Sequence, residues 1–341
     1  MDNKNNIKIP IDHNFHLNSD GVMDKWESRR SPEYRQYRQE WKNNPKNNIL
    51  NGFPIHLDIE ATSGCNFECT MCPRTEMIAN KTYWKIENFN FETYCKIIDQ
   101  GVPNGLRSVK FQYLGEPLVN KNLVKMIKYA KDKGVVDVMF NTNASLLTEK
   151  KAIEIIKSGV DKVFFSFDSP YREKFNEIRK KGDYDQVLKN IRNFMRIKKE
   201  LKSDTPITRV QMVRMQENDD DWEDFQKLFK GVVDTIAGID YLDHGQQTSM
   251  KEKAITDRYK KKNNKAFCCP QLWQRMFVHP DGVVTPCCVD SNRDLKMGNI
   301  NDNDLKDIWH NKKYQRLRKL HREGKMEEIP TCNKCALASY D

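Results

Sequence analysis

No apolar run of ~18 residues occurs in the 341-residue chain, which excludes a membrane-spanning helix on sequence grounds. The opening MDNKNNIKIP lacks the apolar core of a secretory signal, so a reducing cytoplasm is the expected location. A contiguous basic block with interleaved aromatics is also missing. Lys and Arg number 58 against 48 Asp and Glu, a net charge of +10. Without such a block the excess reads as a lysine-rich solvated surface, and neither nucleic acid nor membrane is an expected partner. What the chain has instead is ten cysteines. In a reducing compartment these point to metal ligands or redox groups rather than to structural disulfides.

At 40.2 kDa, 38% apolar and 31% charged, the chain has length and apolar material for one large catalytic domain and a smaller appendage. Residues 1–52 read as an N-terminal extension with one docking helix. Ser31 is its N-cap and Pro32 its first position. Tyr34, Tyr37 and Trp41 share a face, and Asn43-Asn44-Pro45 is the expected stop.

Residues 53–245 alternate between strand and helix patterns. Strand-length runs stand at Ile55–Glu60, Ser108–Tyr113, Val135–Phe140, Lys162–Phe167, Arg209–Arg214 and Ile236–Leu242. Helical periodicity lies between most of them, as in Phe91/Tyr94/Ile98 and Val187/Leu188/Ile191/Phe194. Six such units argue a parallel α/β sheet, either doubly wound or an incomplete (β/α) barrel.

Parity within the strands adds a functional hint. His56, Asp58 and Glu60 oppose Ile55, Leu57 and Ile59, and polar positions recur at Gln112, Asn141, Ser166, Asp168 and Gln211. A parallel sheet buried on both faces would be apolar on both parities, so these residues read as the lining of a polar cavity near the strand ends. His56, Asp58, Gln112 and Gln211 are therefore candidate substrate contacts. His244, near the end of the last strand, is a candidate catalytic group because it can titrate around neutrality.

Residues 246–341 change character. Lysine-rich Thr248–Lys265 reads as a linker or surface helix. A hairpin follows over Met276–Val284, turning at Pro280-Asp281-Gly282. One amphipathic helix is expected from Asp304, carrying Leu305, Ile308, Trp309 and Leu317.

The strongest signal is Cys65-Asn-Phe-Glu-Cys69-Thr-Met-Cys72, directly after the first strand. A structural zinc wants four protein ligands, and no fourth cysteine or histidine lies within this loop. Three thiolates on a four-iron cluster leave one iron open to an exogenous ligand. The motif resembles that of the radical S-adenosylmethionine (radical SAM) enzymes, which implies a partial (β/α)6 barrel with a 4Fe-4S cluster and S-adenosylmethionine as cofactors.

Other positions resemble the same family in order and context. Tyr113-Leu114-Gly115-Glu116-Pro117 is similar to its Gly-Gly-Glu-Pro motif, with Leu114 in place of the first glycine. By that resemblance Gly115, Glu116 and Pro117 hold the methionine end of the cofactor. Asn141, Asn143 and Ser166 approach its ribose and carboxylate, Arg179 pairs with the carboxylate, and Met71 packs near the adenine.

A second constellation comprises Cys268-Cys269-Pro270, Cys287-Cys288 and Cys332-x-x-Cys335. It resembles the SPASM domain that follows some radical SAM barrels, here a small C-terminal iron–sulfur domain of hairpin plus helix. Cys269, Cys287, Cys332 and Cys335 would close one auxiliary 4Fe-4S cluster, two clusters per chain in all. The adjacent Cys268 and Cys288 are alternatives, and a four-cysteine zinc site is the simpler competitor. Cys95, beside Phe91, Tyr94 and Ile98, reads as a buried inert thiol.

The resemblance implies reduction by a flavodoxin or ferredoxin and hydrogen abstraction by a 5′-deoxyadenosyl radical. The single-auxiliary-cluster layout most resembles the branch that oxidises 2-deoxy-scyllo-inosamine. An oxidoreductase acting on a sugar, cyclitol or nucleotide sugar is therefore expected. Peptide maturation, sugar epimerisation, RNA modification and a non-catalytic electron-transfer module remain as alternatives.

Overall fold

The computed structural model describes residues 15–18, 21–242, 249–255, 267–335 and 337. His244 and most of Thr248–Lys265 lie outside these residues.

The N-terminal extension does more than dock one helix. It supplies an edge strand β1 (Phe15–Asn18), α1 (Val22–Ser28) and α2 (Pro32–Lys46). Ser31 caps α2 by accepting from the Tyr34 backbone N–H at 3.3 Å, with Pro32 in the first turn. The helix does not stop at Asn43–Pro45 but includes Pro45 and ends at Lys46. Proline has no N–H, so the Trp41 carbonyl loses its normal helical donor. Gln274 Nε2 donates to that carbonyl at 2.7 Å instead, from the far end of the chain. Replacing Gln274 by methionine leaves the carbonyl orphaned and is expected to cost about 1–2 kcal/mol, read as a lower guanidinium midpoint.

The parallel sheet follows from the alternation. β2 (His56–Ile59), β3 (Ser108–Phe111), β4 (Asp137–Thr142), β5 (Lys162–Ser166), β6 (Ile207–Arg214) and β7 (Thr235–Asp240) lie side by side in chain order. One parity, including Leu57, Ile59, Val109, Phe111, Val138, Phe140, Val163 and Phe165, is buried in the main apolar core. That core is shared with the covering helices α4 (Phe91–Gly101), α5 (Leu123–Asp132), α6 (Glu149–Lys157) and α8 (Tyr184–Glu200). Two shorter helices, α3 (Pro73–Ala79) and α7 (Arg172–Ile178), follow β2 and β5, and α9 (Trp222–Phe229) follows β6. The other parity forms the inner face. The sheet does not close: β1 pairs antiparallel with β7 at one edge. On α4 the buried residues are Tyr94, Ile97, Ile98 and Gly101, so Cys95 is only partly covered at the helix flank rather than buried.

The C-terminal segment is not a separate layer. After the short α10 (Gln271–Gln274), β8 (Arg275–Val278) pairs parallel with β2. Then β9 (Val283–Thr285) and β10 (Gly298–Asn299) continue antiparallel, giving one ten-stranded sheet. The single amphipathic helix expected from Asp304 is two, α11 (Leu305–His310) and α12 (Lys312–Arg322), before the terminal α13 (Pro330–Asn333). The break is at Asn311, whose backbone is extended. Its Oδ1 accepts from Tyr314 N at 3.0 Å and its Nδ2 donates to the Met297 carbonyl at 2.8 Å. An asparagine that caps a new helix stops the old one.

Below the strands, α2 seals the barrel. Tyr34 and Tyr37 pack with Trp26, Ile55 and Ile207. The Lys162 ammonium at the start of β5 donates to the Tyr34 hydroxyl at 3.0 Å and ion-pairs with Asp137 at 2.8 Å. The Trp41 ring lies edge-on to His56, centroids 5.3 Å apart. The open end is therefore the other one, where the strands finish. Among the described residues no helix is long and apolar enough to cross a membrane.

Candidate functional site

At the open end, the loop after β2 carries Cys65, Cys69 and Cys72. Cys72 stands at the N-cap of α3, with Pro73 in its first turn, and the Thr75 backbone N–H donates to the Cys72 carbonyl at 3.0 Å. Phe67 N donates to Cys65 Sγ at 3.4 Å. Glu68 N and Thr70 N pin the loop to the carbonyls of Lys180 and Ile178 at 2.9 and 2.8 Å. The three thiols lie close enough that each opposes ionisation of another, and burial pushes Cys65 up to about 11 and Cys69 up to about 12. Thiols in that state stay protonated until a cationic metal centre binds the sulfur and displaces the proton to solvent.

Beside them the Arg179 guanidinium is held by Asp168 at 2.7 Å, with Nη1 4.0 Å from Cys69 Sγ. Arg179 thus faces a sulfur while anchored from behind by a carboxylate.

The loop after β3 presses directly on the cysteine loop. A Cβ at Gly115 would fall 1.8 Å from the Thr62 carbonyl oxygen, so only glycine fits. Leu114, in the neighbouring position, is half-exposed and is accommodated without such a contact. Glu116 N donates to the Gly64 carbonyl at 2.9 Å. The Glu116 carboxylate accepts from Thr142 Oγ1 and Asn143 N, both at 2.7 Å, and from Leu118 N at 3.1 Å. A carboxylate offers ~four lone-pair sites, so room for a further donor remains. Pro117 is buried in a short turn behind it.

Asn143 Nδ2 reaches Asn66 of the cysteine loop at 3.0 Å. Asn141, on the inner face of β4, has a buried Oδ1 that takes no hydrogen bond among the described residues. Ser166 ends β5 opposite Gln211. Met71 packs with Ile178, Met215, Tyr241, Met250 and Ala254 in a separate apolar cluster at this mouth. The residues expected around the cofactor are therefore gathered on one rim.

Lower in the barrel the inner parity forms layers. Asp58 accepts from Gln112 Nε2 at 2.7 Å and pairs with Arg275 at 3.3 Å; against its burial, Arg275, His56 and Lys110 pull its carboxyl down to about 2. Gln211 Oε1 accepts from Arg209 at 2.9 Å. His56, on the same parity, has its Nε2 3.3 Å from Asp58 Oδ2. It lies at the sealed end under Trp41, with Nδ1 2.9 Å from Ser108 Oγ, and burial pushes its pKa down.

Three inner cations were not among the sequence candidates. Lys110 sits between Ser108 and Gln112 on the same parity, a signal available in the strand pattern. Arg209 likewise shares the parity of Gln211. Arg275 enters only because β8 joins β2.

The second constellation lies on the flank of β8 and β9. Cys269, Cys287, Cys332 and Cys335 line one small apolar cavity with Phe267, Leu272, Leu317 and His321. Val289 N donates to Cys287 Sγ at 3.4 Å, and Cys269 N to His321 Nδ1 at 3.3 Å. Cys268 is buried in the main core instead, and Cys288 receives Gln271 Nε2 at 3.5 Å beside Arg275. Among the described residues no three His, Cys, Asp or Glu side chains converge on a single metal ion. A four-iron cluster spreads its thiolates wider than one ion does, and both cysteine sets fit it in number and burial.

Comparison with known proteins matches these regions to two family models. The "Radical SAM superfamily" covers residues 59–229, and SPASM, an "iron-sulfur cluster-binding domain", covers 268–336. The curated GTP 3′,8-cyclase of Clostridium botulinum is 29% identical over 199 residues, 58% of this chain and 59% of that protein. The chain thus spans under two thirds of such relatives. The S-adenosyl-L-methionine-dependent 2-deoxy-scyllo-inosamine dehydrogenase of Niallia circulans is 22% identical over 82% of this chain and 91% of its own. Among solved structures, BtrN in complex with AdoMet and 2-DOIA has a TM-score of 0.54 at 19% identity, covering 84% and 94%. Streptococcus suis SuiB bound to precursor peptide SuiA has 0.63 at 15%, covering 90% and 74%. At these identities the two structures share the fold.

Proposed function

The chain belongs to the Radical SAM superfamily, and from that premise we propose that it oxidises a hydroxyl-rich small molecule, such as a sugar, cyclitol or nucleotide sugar, to a carbonyl. Membership brings a 4Fe-4S cluster and S-adenosylmethionine, and the SPASM region brings an additional cluster. Cys65, Cys69 and Cys72 would hold the first, and Cys269, Cys287, Cys332 and Cys335 the second. When bound, these groups supply a hydrogen-abstracting radical and an acceptor for the one electron left after the C–H hydrogen atom and the O–H proton depart. Flavodoxin or ferredoxin is the general source of reducing electrons in this superfamily and is the reductant proposed here.

The chain's own residues bind, orient and exclude water. Glu116, with Asn141, Asn143 and Ser166, presents acceptors and donors to the cofactor, and Met71 its apolar contact. Gln112 and Gln211 offer amides to substrate hydroxyls one level below. Trp41, Tyr37 and Tyr34 shut the lower end against solvent, so the cavity is entered from one side.

The observation that carries the dehydrogenase reading is the closed four-thiol cavity on strands continuous with the barrel. A fully ligated cluster there binds no substrate and is free to take an electron. The test is anaerobic turnover with a panel of sugars, cyclitols and nucleotide sugars. One equivalent of 5′-deoxyadenosine should accompany a product lighter by two hydrogens. An unchanged product mass would replace this reading by epimerisation, and turnover confined to a precursor peptide would replace it by peptide maturation. Cys332→Ala with Cys335→Ala is expected to keep S-adenosylmethionine cleavage within a few-fold while product yield falls at least ~100-fold, an uncoupling read by chromatography of both products.

A further inference from the structure

Charge is unevenly shared among the helices. α12 carries Lys312, Lys313, Arg316, Arg318, Lys319 and Arg322 and no carboxylate, whereas every other described helix of ten residues or more contains at least one. Arg318 is buried, donating to the Leu272 and Trp309 carbonyls at 2.9 and 2.7 Å. The other five cations are exposed. Lys313 donates to the Lys296 carbonyl at 3.0 Å, and Lys319 stands 3.9 Å from Glu323. Among the described residues Lys312, Arg316 and Arg322 make no ion pair. Helix stability does not account for this pattern. Cations in the last turn suit the macrodipole, but Lys312 and Lys313 open the helix, where they oppose it. Lys312, Arg316 and Lys319 also follow at the spacings of helical neighbours, where like charges repel.

The opposite face of α12 lies against the second cysteine set. Leu317 and His321 line the cavity of Cys269, Cys287, Cys332 and Cys335, and buried Tyr314 is close enough to Cys287 to feel its charge. One helix therefore covers the four-thiol site with its inner side and presents five cations on its outer side. A helix is about 10 Å across, so little more than that separates the outer face from the cavity. Two exposed apolar residues adjoin the start of α12. Trp309 Nε1 donates to the Asn51 carbonyl at 3.0 Å, and His310 Nε2 lies 3.0 Å from the Gly52 carbonyl. These contacts bring Ile49 and Leu50, 48% and 37% exposed, beside the junction of α11 and α12. The aromatic residue of α12, Tyr314, is buried, so the outer face offers cations without a ring on which bases could stack.

We propose that the outer face of α12, with Ile49 and Leu50 beside it, is where a small acidic one-electron carrier protein docks and takes the electron released by substrate oxidation. The inference rests on the proposed function for the source of that electron. Charge complementarity selects the occupant, since five exposed cations steer an acidic protein inward and repel a basic one. A charged surface around a small apolar contact suits a transient encounter, and an electron carrier has to leave again. The balance closes without a further oxidant. Of the C–H and O–H bonds broken in the substrate, the hydrogen atom goes to the cofactor-derived radical and the proton to solvent, which leaves one electron at the four-thiol site. The oxidised carrier accepts that electron and is reduced by one. Reduced carrier of the same class is what the cysteine loop consumes, so each turnover returns the electron it took.

The test measures binding of three probes to the full-length reconstituted chain: an acidic flavodoxin in its oxidised form, the basic carrier cytochrome c, and transfer RNA. Flavodoxin is expected to bind, and to weaken ~10-fold as salt rises from about 50 to about 300 mM, while cytochrome c does not bind. Lys312→Glu with Arg316→Glu should weaken flavodoxin binding ~10-fold or more. Lys150→Glu with Lys157→Glu, at exposed positions of α6, changes the net charge equally and should bind as the parent does. In stopped flow, the reduced chain mixed with oxidised flavodoxin should form one-electron-reduced flavodoxin at least ~10-fold more slowly in the α12 variant alone. Iron content and S-adenosylmethionine affinity equal to the parent's verify that each variant folds. Equal weakening by both pairs, an α12 variant that behaves as the parent does, or binding of cytochrome c would overturn the proposal. Tighter binding of transfer RNA than of flavodoxin would replace the carrier by a nucleic acid. Because binding is measured without substrate, the two readings fail separately. A chain that oxidises a sugar with α12 indifferent to flavodoxin sinks this inference alone. A chain that binds flavodoxin through α12 but forms no product lighter by two hydrogens sinks the dehydrogenase reading alone.

Discussion

Replacing Cys65, Cys69 and Cys72 together by alanine is expected to lower the iron of the anaerobically reconstituted chain from about eight atoms to about four. Production of 5′-deoxyadenosine under reduction should fall to background in the same variant. The remaining iron should be held by Cys269, Cys287, Cys332 and Cys335, whose cavity lies on the flank of β8 and β9, away from the cysteine loop. Iron analysis and chromatography check the two halves separately. Retention of about eight irons would remove the loop from the ligand set. Zinc with only about four irons in the parent chain would remove the auxiliary cluster and with it the proposed electron acceptor. No production by the parent chain with its first cluster intact would sink the radical reading altogether.

Gly115→Ala is the second large effect. The added methyl would stand 1.8 Å from the Thr62 carbonyl and 2.9 Å from that of Gly64, both backbone atoms of the segment leading into Cys65. Backbone cannot swing aside as a side chain does, so either the Gly115 loop or the cysteine loop must move. Overpacking of this kind costs about 3 kcal/mol or more, a fall of roughly 4 °C in thermal midpoint for a chain of this size. The functional loss should be larger than the stability loss. Glu116 N is bonded to the Gly64 carbonyl, so displacement carries the Glu116 carboxylate off Thr142 and Asn143. S-Adenosylmethionine affinity is expected to drop ~100-fold or more. Equilibrium dialysis measures that directly. An alanine variant that binds as the parent does would show that this rim does not position the cofactor.

Much of the architecture was legible because each element repeats a local rule. The six parallel strands lie where the apolar runs stand, and Ser31 caps α2 as its sequence suggests. The polar inner face was also legible, since side chains alternate along a strand. The limit of that reasoning shows at His56 and Lys110. Both share a parity with cavity residues, yet parity carries no height. His56 is at the sealed end under Trp41, while the Lys110 ammonium lies over the Phe164 ring of β5. Local patterns also misplaced two helix ends, at Pro45 and Asn311, because the groups that decided them, Gln274 and Met297, are remote in sequence.

The paired cysteines make the same division. Spacing alone selects three cysteines in one loop and a second set near the C-terminus, because a cluster needs several thiolates within reach of a short chain segment. It does not choose Cys269 over Cys268 or Cys287 over Cys288, since neighbouring residues present opposite sides and either can be the inward one. Packing decides which sulfurs face the apolar cavity, placing Cys268 in the core and Cys288 beside Arg275. The sequence by itself therefore determined the chemistry the chain carries and the sheet that holds it. Only the tertiary structure decided that β8 joins β2, that α2 seals the barrel and that α12 lies against the four-thiol cavity. Those contacts join residues far apart in the chain, and no local periodicity encodes them.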